Sequence, residues 1–289
     1  MRVTESRLIQ LASDSVSRAR QRVAAPQAEL SSGVRVSRPS DDVAAWVAGR
    51  RARAGEIAAT AHGDAIARSR DRLARVDQIY GSLQSILQRT RELAVAGAND
   101  TLSADDRAAM AAEVRALQQE ALRIANERGA DGEPLLAGTA AADPAFDATG
   151  TYMGNANERQ AELLTGFRYA VGTAGTPLTA VAGVDVFQAI DGLAVALETN
   201  NTAGVQTSID DLAAAHDQIG GARADVGARI RALDVAEDAR QDMTLALAEE
   251  RARAIDADPV DAASRFAGAM QALEAARAVA QRIISMFRG

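Results

Sequence analysis

Residues 30–42 read Leu30-Ser31-Ser32-Gly33-Val34-Arg35-Val36-Ser37-Arg38-Pro39-Ser40-Asp41-Asp42. A helical run enters this stretch and another leaves it. Gly33 stands where a helix closes on a C′ glycine. Val34 to Arg38 is a short connector, and Pro39 cannot sit inside a helix without breaking its bonding. Ser40 is a good N-cap. Asp41 and Asp42 then fall in a first turn, where carboxylates oppose the positive end of the helix dipole. The stretch is therefore a helix stop, a linker and a helix start, which is a hinge between two helical segments.

Working outward, residues 4–32 carry Leu8, Leu11, Val16, Ala19, Val23 and Leu30 at spacings near three, four and seven. The stripe is thin, so this helix is marginal alone and needs a partner. Pro26 inside it is expected to kink or break it. From 43 to 97 a second helix carries Leu73, Val76, Tyr80, Leu83 and Leu87. Ser103 and Asp106 form a capping box, and Met110, Val114, Leu117, Ala121 and Ile124 follow at steps of four and three. Between 129 and 184 the helical period is lost. Arg159–Leu164 and Phe167–Val171 read as short strands about a Thr165-Gly166 turn.

Helices resume at Asp185, an N-cap. Ile209, Leu212, His216, Ile219, Val226, Ile230, Leu233 and Leu247 keep near-heptad spacing, a coiled-coil seam on which His216 reads as a hydrogen-bonded core residue. Asp258-Pro259 restarts the chain, with Asp as N-cap and Pro at the first helical position. The last helix carries Phe266, Ala269, Leu273, Ala276, Ala280, Ile283 and Phe287. The order is near-palindromic: a terminal arm 1–36, a helical rod 37–132, a β-rich insert 133–184, the returning rod 185–258 and a second terminal arm 259–289. The fold class that follows is mainly α: an elongated antiparallel bundle or coiled coil with paired terminal helices and a small β-rich insert.

Composition narrows the function. Aromatics are only 3% of 289 residues and alanine is abundant, which suits close helix packing rather than a bulky core. The net charge of −7 argues against a nucleic-acid binder, despite the arginines at 50, 51 and 53 and at 68, 70 and 72, which read as solvated helix faces. There is no cysteine, hence no disulfide or thiolate site. No run of about 18 apolar residues is present to span a membrane, and the first residues are too charged for a signal-peptide core. His62 and His216 are the two histidines and lack helix-spaced metal partners. No nucleophile elbow, phosphate loop or dinucleotide fingerprint is present. No catalytic, cofactor-binding or metal-ligating residue is assigned, and the expected class is a structural protein, not an enzyme. The candidate interface is an assembly surface on the two arms: Leu8, Leu11, Val16, Val23, Leu30, Phe266, Met270, Leu273, Ile283, Ile284 and Phe287.

The stretch Leu30-Ser31-Ser32-Gly33-Val34-Arg35-Val36 resembles a segment of the bacterial flagellin superfamily. Pro39-Ser40-Asp41-Asp42 is similar to the branch of hook-associated protein type 3, the hook–filament junction family. Gly150–Asn155 with Arg159 and Gly183–Phe187 resemble further segments of that branch, and Leu87–Val95 and Gly221–Arg229 resemble segments shared by both branches of the superfamily. Leu30, Ser31, Ser32, Gly33, Arg35, Pro39, Ser40, Asp41 and Asp42 carry the signature. The resemblance implies an extracellular axial protein of the flagellum, passed through the flagellar export channel without a cleaved signal. It implies hook-associated protein 1 on the hook side, flagellin on the filament side, copies of itself in a ring, and an export chaperone at the C-terminal helix. A filament flagellin subunit is the alternative.

Overall fold

The computed structural model describes residues 2–140 and 143–286. Among these residues there are six α-helices: α1 (Arg2–Ser32), α2 (Val43–Gly97), α3 (Ala104–Ala125), α4 (Val186–Glu198), α5 (Thr202–Ile255) and α6 (Pro259–Met286). Between α3 and α4, β1 (Gln160–Leu164) and β2 (Phe167–Ala170) form a two-stranded antiparallel sheet. The chain is mainly α with a small β insert. Local chemistry sets the ends of these elements. Ser103 Oγ accepts from Asp106 N, and the Asp106 carboxylate accepts from Ser103 N, both at 3.1 Å. Asp185 accepts from Phe187 N and Gln188 N at 3.0 Å to start α4. Asp258 accepts from Val260 N at 2.8 Å to start α6. Each cap uses a side-chain oxygen on an otherwise orphaned helix N–H.

The chain divides into two compact units. The first holds residues 1–57 and 242–289, and the second holds 58–241. In the second unit α2 and α5 run antiparallel, with Arg70 paired to Asp234 at 2.8 Å and Arg223 to Asp77 at 2.9 Å. Leu73, Val76, Tyr80, Leu83 and Leu87 of α2 are buried, as are Phe187, Ile190, Leu193 and Leu197 of α4. The buried line on α5 is Val205, Ser208, Leu212, Ala215, Ile219, Val226, Leu233 and Ala236. Its steps are three, four and seven, with small residues at alternate positions, which is a heptad seam. His216 is not in that core. Its side chain is 41% exposed, with Nδ1 3.5 Å from the Asp217 carboxylate. The seam position is Ala215, and the next residue turns about 100° away on a helix of 3.6 residues per turn.

Polar side chains pin the connections. Arg107, 3% exposed, donates to the carbonyls of Gly97 (2.9 Å), Asn99 (2.8 Å) and Leu102 (3.2 Å) and to the Asn200 side chain. It thereby closes the end of α2 and joins the α2–α3 turn to the α4–α5 turn. The Asn126 amide pairs with the Phe146 backbone in both directions at 2.9 Å. Gln218 of α5 donates to Pro177 O and Val184 O and accepts from Val184 N, which ties down the end of the insert. Within the insert Phe146 lies 5.1 Å from the rings of both Tyr152 and Phe187.

Candidate assembly interface

The first unit is built differently. α1 and α6 pack side by side, and Arg265 near the start of α6 reaches Glu29 near the end of α1 at 2.7 Å, so the pair is antiparallel. Ala19, Val23 and Leu273 are buried between them, with Val16, Phe266, Ala269, Met270 and Ala276 packed around. The seam runs through Ala12, Val16, Ala19, Val23 and Pro26 on α1 and through Ala262, Phe266, Ala269, Leu273 and Ala276 on α6; Ser15, Glu29, Met270, Ala280 and Ile283 are half-buried as well. Both series step four-three-four-three, a heptad seam made chiefly of small residues. The expected break at Pro26 is absent: α1 runs through it, and the ring is buried. Burial of the ring in the seam offsets a lost helical bond that costs about 3 kcal/mol in a helix interior.

The signature stretch is held by the link between α5 and α6. Gly33 sits at φ 70°, a conformation that side chains disfavour, and its N–H closes α1 on Glu29 O at 2.8 Å. Its carbonyl accepts from Ala257 N at 2.9 Å. Arg35 N and Val36 N both donate to Ile255 O, at 2.8 and 3.2 Å, and the Arg35 guanidinium donates to Ala254 O at 2.9 Å. Val36 is 1% exposed. The two interhelical links are thus bonded to each other through their backbones.

The start of α2 differs from the expectation. Ser40 is not the N-cap. Asp42 is, accepting from Ala45 N at 3.0 Å. Pro39 and Ser40 occupy the centre of a turn closed by Asp41 N to Arg38 O at 3.0 Å, where Pro is favoured, so the capping position falls two residues later. Asp41 faces back and accepts from Arg38 N (2.9 Å) and Ser37 N (3.1 Å). These backbone donors, Arg38 first, hold the Asp41 carboxyl below its usual range. The Ala45 N–H and then the Arg35 charge do the same for Asp42. Beyond the cap α2 approaches the end of α5 closely: a Cβ on Gly49 would lie 2.5 Å from Ile255 Cγ2.

The structure splits the residues expected at an assembly surface. Val16, Val23, Phe266, Met270 and Leu273 meet one another inside the α1–α6 pair. Ile283 is half-buried. Leu8, Leu11, Leu30 and Ile284 are exposed, at 40–54%. Phe287 lies outside the described residues. Further exposed large apolar side chains among the described residues of this unit are Ile9, Val43, Val47, Ile57, Met243, Leu245, Val260, Val279 and Met286, which a search for stripes passes over because they lie off the seams. Among the described residues no group of three His, Cys, Asp or Glu side chains is placed to hold a metal, and no helix is long and apolar enough to cross a membrane.

Residues 7–141 match the bacterial flagellin N-terminal helical region. The chain is 37% identical to a flagellin of Clostridium tyrobutyricum over 38% of its length and 29% of the relative's. It is 30% identical to flagellin FlaB1 of Treponema pallidum over 69% of its length and 66% of the relative's. It is also 30% identical to flagellar hook-associated protein 3 of Salmonella typhimurium, over 44% and 40%. The chain thus aligns with less than two thirds of each of these relatives. Its fold is shared with a chain of Vibrio parahaemolyticus assigned as a flagellar hook-associated protein (TM-score 0.69, 22% identity, 75% of this chain and 100% of that one). It is shared too with the flagellar junction protein FlgL of Legionella pneumophila (TM-score 0.58, 15% identity, 72% and 100%).

Proposed function

We infer that this chain, a member of the bacterial flagellin superfamily, is a structural subunit of the flagellar axis that serves at the junction between hook and filament. The observation that carries the reading is the first unit. It buries little beyond one seam of small residues, yet leaves Leu8, Ile9, Leu11, Val260, Val279, Ile284 and Met286 exposed along α1 and α6. Apolar area in water is unfavourable at about 25 cal/mol per Å², so such helices gain stability only when other subunits cover them. The junction assignment is favoured by the Pro39-Ser40-Asp41-Asp42 turn and the Salmonella match, and the fold is one that spans the full length of solved hook-associated chains.

In this reading copies of the chain form a ring whose inner layer is α1 and α6. Hook-associated protein 1 lies on one side and flagellin on the other. The protein reaches the cell exterior through the flagellar export channel, with a chaperone on α6 beforehand. It acts by fit between subunits and not by catalysis. The matches to Clostridium and Treponema flagellins favour a second reading, a filament subunit. Deletion of the gene separates the two. A junction protein leaves hooks in place and unpolymerised flagellin in the medium. A filament subunit takes filament and secreted flagellin away together, and that result overturns the junction reading.

A further inference from the structure

The arginines at 68 and 72 stand out in the sequence, and the proposed function makes no use of them. Arg68, Arg72 and Arg75 are four and three residues apart on α2, hence on one face. With Arg159, just ahead of β1, they line a cavity of about 300 Å³ in the second unit. That size is at the small end of pockets that hold organic ligands. Ala65, Ala161 and Val171 supply an apolar wall; Asp71 and Asp131 also line the cavity. The arginines are not equivalent. The Arg72 side chain is 10% exposed, held by Asp131 (3.2 Å) and Pro134 O (3.1 Å), and its buried Nε has no partner. Arg159 pairs with Glu133. Arg68 and Arg75 make no ion pair or hydrogen bond among the described residues, and both are exposed at the rim.

In a chain of net charge −7, four guanidinium groups converge on one hollow with two carboxylates between them. Burial, and after it the positive charge of Arg159, draws the Arg72 guanidinium below its ordinary pKa. A further negative charge in the hollow relieves that repulsion. Guanidinium forks match the oxygens of carboxylate and phosphate groups two at a time.

We propose that this cavity binds a small organic anion bearing a carboxylate or phosphate group, gripped by Arg68 and Arg75 and backed by Arg72 and Arg159. The proposal concerns the second unit alone and does not depend on the junction reading. The test is calorimetric titration of the full chain at low ionic strength with citrate and with glycerol 3-phosphate, and glycerol as the uncharged control. Saturable binding of at least one anion and none of glycerol is expected. Arg68→Gln with Arg75→Gln weakens it by about tenfold or more, the scale of losing charge-assisted hydrogen bonds. Arg68→Lys with Arg75→Lys, which keeps the charge and loses the fork, falls between, and serves as the readout should the glutamine variant lose its helical signal. Arg50→Gln with Arg51→Gln, outside the cavity, leaves binding unchanged. Absence of saturable binding overturns the proposal. So does equal binding by the wild type and the variants at 68 and 75, or an equal loss in the 50 and 51 variant. A loss of subunit association in the 68 and 75 variants without any anion binding assigns these arginines to a protein contact instead, and also overturns it.

Discussion

The two units share two helices, yet solve burial in opposite ways. The second unit surrounds Tyr80, Phe146 and Phe187 with leucines and isoleucines from α2, α4 and the insert, and all of these are out of water. Among the described residues the first unit's buried apolar side chains are Ala12, Ala19, Val23, Pro26, Val36, Ala52, Ala262 and Leu273, and more large apolar side chains are exposed in it than buried. Ordering one residue costs about 1–2 kcal/mol of backbone entropy, and a fully buried Leu or Phe returns about 1.5–3. An alanine seam returns much less. By this measure the second unit is expected to hold most of the stability of the chain, and the first to gain most from being covered.

The largest expected effect breaks or confirms that contrast directly. Phe187→Ala removes a ring that is 1% exposed and packs on Phe146. It should lower unfolding free energy by about 3–5 kcal/mol, read as a shift in the urea midpoint by circular dichroism. The counterpart in the first unit is Leu273→Ala, at the centre of the α1–α6 seam. It should leave the main urea transition in place, strip hydrogen-exchange protection from α1 and α6, and weaken incorporation into flagella. A main transition that moves as far as it does for Phe187→Ala would show that the two units unfold as one and sink the contrast.

A smaller effect sharpens it at the link. Gly33 at φ 70° has no neighbouring atom within 4 Å of the place a Cβ would take, so a substitution there meets backbone strain and no steric clash. Gly33→Val should cost about 1–2 kcal/mol in the first unit, and Gly33→Asn less, because Asn tolerates the left-handed region. Limited proteolysis within residues 30–42 measures it: cleavage rates should rank valine above asparagine above glycine. Equal rates would mean that the Gly33–Ala257 and Arg35–Ile255 bonds do not depend on that conformation.

These features are unequally legible in the sequence. Caps are local, so Ser103 with Asp106, Asp185 and Asp258 can be read from spacing alone. Seams are only half legible, because alanine occupies core and surface alike in this chain. Leu8 and Leu11 look like a stripe while Ala12 is the buried residue, and His216 takes by spacing the place that Ala215 holds in the fold. Pro26 misleads because its cost is set within the helix, whereas the burial of its ring is set by the fold. Arg107, Asn126 and Gln218 are invisible as connectors. Their partners are up to 93 residues away, and no local pattern marks a side chain that bonds to a distant backbone. The signature stretch reads as a hinge, and only the fold shows the α5–α6 link bonded along it.

The smallest effect is a response to acid at that same link. The Asp41 and Asp42 carboxyls are both held below their usual range, chiefly by the N–H groups of Arg38 and Ala45. A carboxyl whose folded pKa is depressed contributes stability above its unfolded value of about 3.9 and loses it as pH falls through the folded value. The turn and the cap should therefore be intact at neutral pH and loosen as pH is taken below about 4. Pepsin cleavage within residues 33–46 should rise over that range more than pepsin's own activity accounts for. Asp41→Asn with Asp42→Asn removes both titrating groups, and Asn still accepts at an N-cap. Relative to pepsin's own activity, the variant should cleave at one rate across the range, close to the wild type at the upper end. Asp106, whose carboxyl is lowered by Ser103 in the second unit, stays as the internal reference. If the variant keeps the wild-type acid response, the titration lies elsewhere, and the link is held by its backbone bonds to Ile255 and Ala257 alone.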